Sequence, residues 1–276
     1  MSKKYIYLMG GLGNVLFQLN KAFELSKKGH EVRISVLLLQ KRRLLARLLG
    51  WSDHGTLKVL EDLGIMNDFN KFKGSMISLA LLLVSKKIDK CIFSHQYLKH
   101  NKQENQECTV LIGYFSSRAV IDKGFSDNVR SYFNLAERKM NYRLNNAHIK
   151  ELECSIVLHF RGGDYFDNNN MFVKNEYYNQ IISRHDKLLV VTNDDKKFEE
   201  YMLKHFPQKE YRIISNGDVI YDFFTMINAK KIACANSTYS WWAAEIGDNE
   251  IIFEPEIYFE HLQQWSPKSN KTRIKI

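Results

Sequence analysis

Proline is scarce in this sequence, and long hydrophobic runs are missing. Only 3 of the 276 residues are proline and 14 are glycine, whereas aromatic residues make up 13%. Disordered chains are enriched in proline and glycine and poor in aromatics, so the composition excludes disorder as the main state. The longest largely apolar stretch, Ile77 to Val84, is far shorter than the roughly 20 residues that a membrane-spanning helix needs. We therefore expect a globular protein with a packed core.

Cysteine motifs are absent as well. The four cysteines, at positions 91, 108, 154 and 234, include no C-x-x-C pair and no histidine in the spacing of a zinc site. The chain opens as MSKKY and runs straight into a strand-like segment, without the pattern of a secretory signal. These absences favour a reduced, cytoplasmic protein.

Positive charge is concentrated near the start of the chain. The 40 basic and 31 acidic residues give a net charge of +9, and residues 1–50 hold ten basic residues against Glu24 and Glu31, or 10 − 2 = +8. Residues 40–51 place four leucines on one helical stripe beside a basic flank. This segment is either a surface helix on the protein's own core or a basic contact surface, which would attract the inner face of an anionic membrane or a phosphorylated partner.

Strand and helix patterns alternate along both halves of the sequence. A strand at 5–9 precedes a glycine turn, a helix that ends at Gly29, and a strand at 31–36. The second half repeats the alternation, with strands predicted at 155–160, 187–192, 211–215, 231–235 and 250–253. Such alternation predicts an α/β fold with parallel, doubly wound sheets. A near-neutral, irregular stretch around 134–153 indicates a boundary between two domains, 1–150 and 151–276.

Ionisable residues are concentrated after the strand at 155–160. Ligands of parallel α/β sheets bind where polar residues follow the carboxyl ends of strands, and here His159, Arg161 and Asp164 lie within six residues. Arg161 offers a planar fork of donors that suits phosphate oxygens, while Gly162 and Gly163 allow a close backbone approach. The alternative is an ordinary turn closed by an Arg–Asp pair.

The adjacent carboxylates Asp194 and Asp195 follow the next strand. They can accept hydrogen bonds from a nucleobase or from ribose hydroxyls. They can also cap the helix that follows, and a double role is open, with one residue capping and the other reaching the ligand.

Four polar residues follow the strand at 231–235: Asn236, Ser237, Thr238 and Ser240. Hydroxyl groups and free N–H groups at the start of a helix form an anion site. Capping explains one of these residues but not four. The two tryptophans that come next can belong to the core, because each buries a large apolar area.

Motifs for several other activities are missing. The sequence contains no D-x-D carboxylate pair, no Walker A motif, no HExxH and no G-x-S-x-G. The GGLGN turn at 10–14 does not complete G-x-G-x-x-G, because Leu16 stands where the last glycine would fall. A metal-held diphosphate, a plain NAD site and a serine hydrolase are therefore not supported.

Taken together, these strings resemble glycosyltransferase family 11, the GDP-fucose-dependent α-1,2-fucosyltransferases. The resemblance covers about residues 6 to 254 in the right order, and it rests on GGLGN with Phe17-Gln18, on the string from His159 to Tyr165, on the Asp194-Asp195 pair, and on ANSTYSWW at 235–242. It implies a GT-B-like fold of two Rossmann-type domains that face a cleft. The N-terminal domain would lie on the acceptor side, and the C-terminal domain would bind the GDP-sugar.

The resemblance also implies roles for particular residues. Gly11, Gly13 and Asn14 would contact substrate, and transfer would need neither a metal nor another cofactor. Two positions depart from the family pattern: Gly162 replaces the second arginine of H-x-R-R-G-D, and Val15 replaces the usual glutamine.

Glycosyl transfer places clear demands on such a site. Breaking a sugar–phosphate bond produces an oxocarbenium-like centre and a diphosphate leaving group, which donors must stabilise where no metal does. We assign this role to Arg161, helped by the 236–240 turn, while His159 orients phosphate or sugar unless it is structural. Asp164 either pins Arg161 or deprotonates the acceptor hydroxyl as general base; pinning is favoured, because a carboxylate so near a phosphate-binding arginine has a low pKa and is a poor base. Asp194 or Asp195 reads guanine or ribose.

These observations predict inverting transfer of fucose from GDP-fucose to the 2-hydroxyl of a galactose-type residue in a surface glycan such as an O antigen. The acceptor would be a glycan or a lipid-linked oligosaccharide, and no nucleic-acid partner is expected. One alternative keeps the fold but uses another GDP-sugar or acceptor. A different class, a non-enzymatic basic binder of anionic membrane or nucleic acid, predicts strongly salt-dependent binding.

Overall fold

The structure is a computed structural model, and it describes residues 2–41, 55–75, 88–91, 110–115, 121–140, 146–162, 173, 175–255 and 271–276. The chain divides into two compact units, Met1–Tyr132 and Phe133–Ile276. The sequence placed the division at residue 150 instead. Whether the first unit serves the acceptor and the second the donor stays a prediction.

The stretch around 134–153 is not irregular where the structure describes it. Residues 134–140 belong to helix α3 (Lys123–Met140), and residues 146–153 belong to α4 (Asn146–Cys154). The sequence pattern hid α3, because its many charged residues mask a narrow apolar face. That face is formed by Phe125, Val129 and Phe133, which recur every fourth residue and are buried.

The first unit contains a parallel five-stranded sheet. Its strands lie in the order β3-β2-β1-β5-β4, and every pair is parallel. The elements along the chain are β1 (Lys3–Tyr7), α1 (Leu12–Lys27), β2 (Glu31–Ser35), α2 (Thr56–Leu63), a 3-10 helix (Ile65–Asp68), β3 (Asn70–Lys71), β4 (Ile88–Cys91) and β5 (Val110–Gly113).

The second unit contains a parallel six-stranded sheet in the order β11-β10-β9-β6-β7-β8. After α4, its elements are β6 (Ile156–Phe160), α5 (Asn175–Arg184), β7 (Leu188–Thr192), α6 (Asp195–His205), β8 (Tyr211–Ile213), α7 (Val219–Asn228), β9 (Lys231–Ala233), α8 (Thr238–Ile246), β10 (Ile251–Glu254) and β11 (Thr272–Lys275). The chain builds outward from β6 through β7 to β8, then returns to place β9 on the other side of β6. This is the Rossmann strand order, and its switch point lies between β6 and β9.

A dense aromatic core fixes the carboxyl end of β6. The ring of Phe160, which is fully buried, lies 5.0 Å from the ring of Phe198 on α6 and 5.1 Å from that of Tyr178 on α5. All five residues of β6 are buried, as expected for a central strand of a parallel sheet covered on both faces. The residues after Phe160 therefore leave the sheet from a rigid platform.

The predicted fold class, α/β with two doubly wound units of Rossmann type, is confirmed by these two parallel sheets. The cleft that a GT-B arrangement places between the units stays a prediction.

Residues 42–51 of the predicted membrane contact lie outside the described residues. Gln40 and Lys41, which the structure describes, are helical and exposed. In the part of the chain that the structure describes, no helix has the length and apolar character needed to cross a bilayer.

Candidate functional site

Of the three polar segments predicted from the sequence, the one that begins at His159 and the one that begins at Asn236 meet at the switch point of the second sheet. Leu158 of β6 lies directly opposite Ala233 of β9 in the parallel register. Arg161 and Asn236 each follow that pair by three residues along their own strands, so both leave the sheet at the same level. The crevice outside a switch point is where open α/β sheets bind ligands.

His159 is almost completely enclosed at this point. It is 3% exposed, and its ring centroid lies 5.8 Å from that of Tyr239. Burial, reinforced by the positive charge of Arg161, lowers the pKa of His159 to about 3. The imidazole is therefore neutral at pH 7. Within the described ranges, its buried Nδ1 has no hydrogen-bond partner, although buried polar atoms normally have one.

Arg161 is half-buried beside these rings. Its charge lowers the pKa of His159 and opposes the rise in the pKa of the Tyr239 hydroxyl, which burial causes. The guanidinium thus lies close to residues of both strand ends. Gly163 and Asp164 lie outside the described residues, so the pairing of Asp164 with Arg161 stays a prediction.

The turn after β7 is joined to the end of β6. Gly162 N–H donates to the side-chain oxygen Oδ1 of Asn193 at 3.0 Å. The second predicted string is thereby held against the first, although no sequence signal paired these two residues.

Asp194 caps helix α6. Its carboxylate accepts a hydrogen bond from the Lys197 N–H at 3.2 Å, so the capping interpretation is correct for this residue. Asp195 is the first residue of α6 and is exposed. Of the two roles predicted for this pair, Asp194 therefore takes the capping role. Contact between Asp195 and a ligand stays a prediction.

The 236–240 string starts helix α8, and its residues play different structural parts. Ser237 is the N-cap and accepts from the Tyr239 N–H at 3.3 Å, whereas the fully buried Ser240 hydroxyl reaches the Ser237 carbonyl at 3.4 Å. Asn236 is buried and Thr238 is half-buried. A substrate contact for each of these four residues stays a prediction.

The two tryptophans after this string belong to the core. Trp241 and Trp242 are buried and pack edge to face with ring centroids 5.5 Å apart. Their role is to anchor α8 behind the site.

Sequence reasoning missed Tyr239 and Asp222. The Tyr239 hydroxyl donates to the Val219 carbonyl at 2.5 Å, which ties the start of α8 to the start of α7. Asp222 is in the first turn of α7, where burial above all, with the charges of Asp218 and Asp195, raises its pKa to about 7. A carboxyl group shifted in this way near a strand-end crevice is a candidate functional residue. Its sequence signal was one acid inside an otherwise strongly apolar helix.

The glycine turn of the first unit is built for close packing. Gly10 has φ +88°, and a Cβ there would lie 2.9 Å from Cε1 of Tyr114 and 3.1 Å from Nδ2 of Asn14. Gly11 is the N-cap of α1 and Gly13 is buried, while Asn14 is half-buried. Substrate binding by Gly11, Gly13 and Asn14 stays a prediction.

Two positions of helix α1, which follows this turn, serve the fold. Gln18 accepts from the Met9 N–H at 2.9 Å and donates to the Met9 carbonyl at 3.0 Å, so it clamps the chain where β1 ends. Val15 is completely buried. The departure from the family pattern at Val15 therefore faces the core of this unit.

The residues that the structure describes contain no group of three or more histidine, cysteine, aspartate or glutamate side chains that could hold a metal ion. Metal-independent chemistry stays a prediction.

The chain is similar to two curated proteins over nearly its whole length. It is 25% identical to the O-antigen biosynthesis glycosyltransferase WbnK of Escherichia coli, an alignment that covers 99% of this chain and 98% of the relative. It is 26% identical to an alpha-1,2-colitosyltransferase of Escherichia coli, with 96% of each chain covered. No family model matches the chain.

Solved structures show only distant likeness. The ADP-heptose lps heptosyltransferase II of E. coli is 13% identical; the match covers 99% of this chain and 90% of the neighbour, with a TM-score of 0.42. POFUT1 in complex with GDP is 10% identical, covers 65% of this chain and 57% of its own, and has a TM-score of 0.32. At these TM-scores the likeness does not bear on function.

Proposed function

We propose that this protein is a glycosyltransferase that transfers fucose from GDP-fucose to the 2-hydroxyl of a galactose-type residue in a surface glycan, with inversion at the transferred sugar. The observation that carries the proposal is the meeting of the His159–Arg161 string with the 236–240 string at the switch point of a Rossmann-type sheet. The similarity to an O-antigen glycosyltransferase over almost the full chain supports the same class of reaction and the same kind of acceptor.

Arg161 would stabilise the departing diphosphate. Its half-buried guanidinium offers several N–H donors to phosphate oxygens. The start of α8 adds backbone N–H groups and the positive end of a helix dipole on the β9 side of the crevice. Both groups are fixed before the reaction, which is the condition under which such donors are most effective.

The neutral His159 would orient the donor rather than neutralise it. Because its pKa is about 3, the imidazole at pH 7 carries one N–H donor and one acceptor nitrogen. Burial beside the ring of Tyr239 holds the imidazole in one place. It can therefore form a directed hydrogen bond with a phosphate or sugar oxygen.

The carboxylates after β7 and β8 would recognise the nucleoside. Asp195 is exposed at the start of α6 and Asp222 lies in the first turn of α7. Carboxylate oxygens such as those of Asp195 accept hydrogen bonds from the N–H groups of guanine and from ribose hydroxyls, and the carboxyl group of Asp222, whose pKa is about 7, can also donate one when it is protonated. We propose that these residues select GDP-linked donors.

The acceptor would be bound by the first unit through the Gly10–Asn14 turn. A lipid-linked oligosaccharide as acceptor, a peripheral position on the inner face of the membrane through residues 40–51, and a cytoplasmic site of action all belong to this proposal.

A second candidate changes only the transferred sugar. The 26% identity to an alpha-1,2-colitosyltransferase favours colitose as an alternative donor sugar with the same linkage. The position of Gly162, where the fucosyltransferase pattern has arginine, leaves room for a different donor preference.

The test is a transfer assay with purified protein. GDP-fucose and GDP-linked colitose are each offered with a panel of β-galactosides, and products are analysed by mass spectrometry and NMR. Transfer of fucose to the galactose 2-hydroxyl is the expected result. Transfer of colitose alone would establish the second candidate, and a folded protein that transfers no sugar from any GDP-sugar would overturn the proposal.

A further inference from the structure

Gly162 is packed too tightly for any side chain. A Cβ placed there would lie 2.6 Å from Cβ of Asp194, 3.2 Å from its Oδ2 and 3.3 Å from its Cγ. Real Cβ atoms essentially never approach another heavy atom to less than 3.0 Å. The φ angle of Gly162 lies outside the left-handed region, so the requirement for glycine is steric and not conformational.

Asp194 is not free to move away. Its N–H donates to Thr192 Oγ1 at 3.0 Å, and its carboxylate accepts from the Lys197 N–H at 3.2 Å as the cap of α6. The residue before it, Asn193, accepts from the Gly162 N–H at 3.0 Å. The atom nearest to the absent side chain is Cβ of Asp194, which moves only with the backbone.

We propose that Gly162 is a positioning residue for donor binding. Its bare backbone lets the turn at 192–195 close against the end of β6, where the Asn193 hydrogen bond fixes the peptide that directly follows Arg161. When the 192–195 turn packs in this way, its carboxylates lie beside the guanidinium of Arg161. One nucleoside diphosphate can then contact both the carboxylates and the guanidinium. This inference rests on the proposed function.

The proposal also explains why an arginine is missing at this position. Any residue other than glycine would push the 192–195 turn outward and separate Asp195 from Arg161. The chain therefore binds the diphosphate with one guanidinium at this point, that of Arg161. The space that a side chain at position 162 would fill is occupied by the β7 turn.

The first experiment measures GDP binding by isothermal titration calorimetry in the wild type and in Gly162→Ala. Overpacking at a rigid contact is costly, so the dissociation constant for GDP is expected to rise by about tenfold. Gly247→Ala is the matched control. A Cβ at Gly247 would lie 2.4 Å from Oδ1 of Asn249 and 2.6 Å from the Ala243 carbonyl oxygen, so this glycine is also too crowded for a side chain. Gly247 follows α8 and precedes β10, so it lies toward the amino ends of the strands, whereas Gly162 follows the carboxyl end of β6. That variant should lose thermal stability and keep wild-type affinity for GDP.

A double-mutant cycle separates the steric contact from a general loss of fit. Asp194→Gly removes the Cβ that blocks residue 162, whereas Asp194→Ala keeps it. Adding Gly162→Ala should therefore leave GDP affinity nearly unchanged in the Asp194→Gly background and lower it by about tenfold in the Asp194→Ala background. Equal effects in the two backgrounds would overturn the proposal.

Asn193→Ala tests the same idea without added bulk, in case Gly162→Ala does not fold. Loss of the hydrogen bond to the Gly162 N–H should weaken GDP binding by about threefold to tenfold while the protein stays folded. Wild-type affinity in Asn193→Ala, or in a folded Gly162→Ala, would overturn the inference. If the wild type itself binds no GDP, the proposed function has failed instead.

Discussion

The rings of His159 and Tyr239 lie with their centroids 5.8 Å apart and their planes at 60°. His159 is on β6 and Tyr239 is in the first turn of α8, which follows β9. This contact joins two segments that are separated by about 80 residues in the sequence and places them together at the carboxyl ends of β6 and β9.

Replacement of Arg161 by alanine should abolish most transfer activity. Loss of one preorganised donor to a developing negative charge lowers kcat by about 100- to 1,000-fold. Arg161→Lys should restore only part of the rate, because a lysine ammonium lacks the planar fork of donors. Arg212→Ala is the control, since Arg212 pairs with Glu151 on the surface of the same unit. An active Arg161→Ala enzyme would contradict the role given to this residue.

His159 should make the protein less stable in acid. The unfolded chain takes up a proton near the ordinary histidine pKa of 6.5, whereas the folded pKa is about 3. The stability that His159 contributes is therefore present above pH 6.5 and is lost as the pH falls toward 3. In urea titrations, the free energy of unfolding of His159→Gln should fall less between pH 6.5 and 4 than that of the wild type. Parallel curves would contradict the shift, and the same change at His205 serves as control.

Asp222 should act in the opposite direction. Its folded pKa of about 7 lies above the ordinary value of 3.8, so its contribution to stability is fully present below pH 3.8 and is lost as the pH rises through 7. Relative to the wild type, Asp222→Asn should gain stability as the pH rises from 4 to 7. Asp186→Asn, at a fully exposed carboxylate, should show no such trend. A flat difference for Asp222→Asn would mean that its carboxyl group is not held in the protonated form.

Asp194 and Asp195 should differ in what their removal affects. Asp194→Ala removes the cap of α6 and should lower the free energy of unfolding by about 1 kcal/mol, with most of it restored in Asp194→Ser. Asp195→Ala should change stability less and raise the KM for the GDP-sugar, because Asp195 is exposed at the start of the helix. Thermal denaturation and steady-state kinetics measure the two effects. Reversed effects would exchange the roles of the two residues.

Transfer should not require a divalent metal. In the proposed mechanism, Arg161 and the start of α8 stabilise the negative charge of the departing diphosphate, which a metal ion would otherwise do, so dialysis against EDTA should leave the rate of transfer unchanged. Restoration of a lost rate by added magnesium or manganese would overturn this prediction.

The regular part of the fold was predictable from the sequence for clear physical reasons. Strands such as β6 and β7 are short, continuous apolar runs with polar residues at their carboxyl ends, which is the pattern of a fully buried parallel strand. Helix α3 was not recognised because, over its residues 123–135, only one residue in about four is apolar and buried. The two-residue strand β3 and the edge strand β11 carry too few apolar residues to give a pattern.

The sequence showed which segments form the candidate site, but not which of their residues are in contact. The positions of His159 and Arg161 at a strand end already indicated a ligand site. Their approach to Tyr239, and the packing of Gly162 against Asp194, depend on the order of strands in the sheet. Asp222 escaped notice because its ionisation depends on burial, which a single acid in a helix pattern does not reveal.

Arg273 gives the last described strand a structural importance that its exposed position conceals. Its guanidinium reaches the carboxylates of Glu254, on β10, and of Glu245, near the end of α8, while the Ile276 N–H donates to the Glu254 carbonyl. Deleting residues 271–276 to obtain a shorter protein for crystallisation would leave two largely enclosed acids, Glu245 and Glu254, without the Arg273 cation that pairs with them. It would also expose the flank of β10. Affinity tags and truncations are therefore better designed to leave this strand intact.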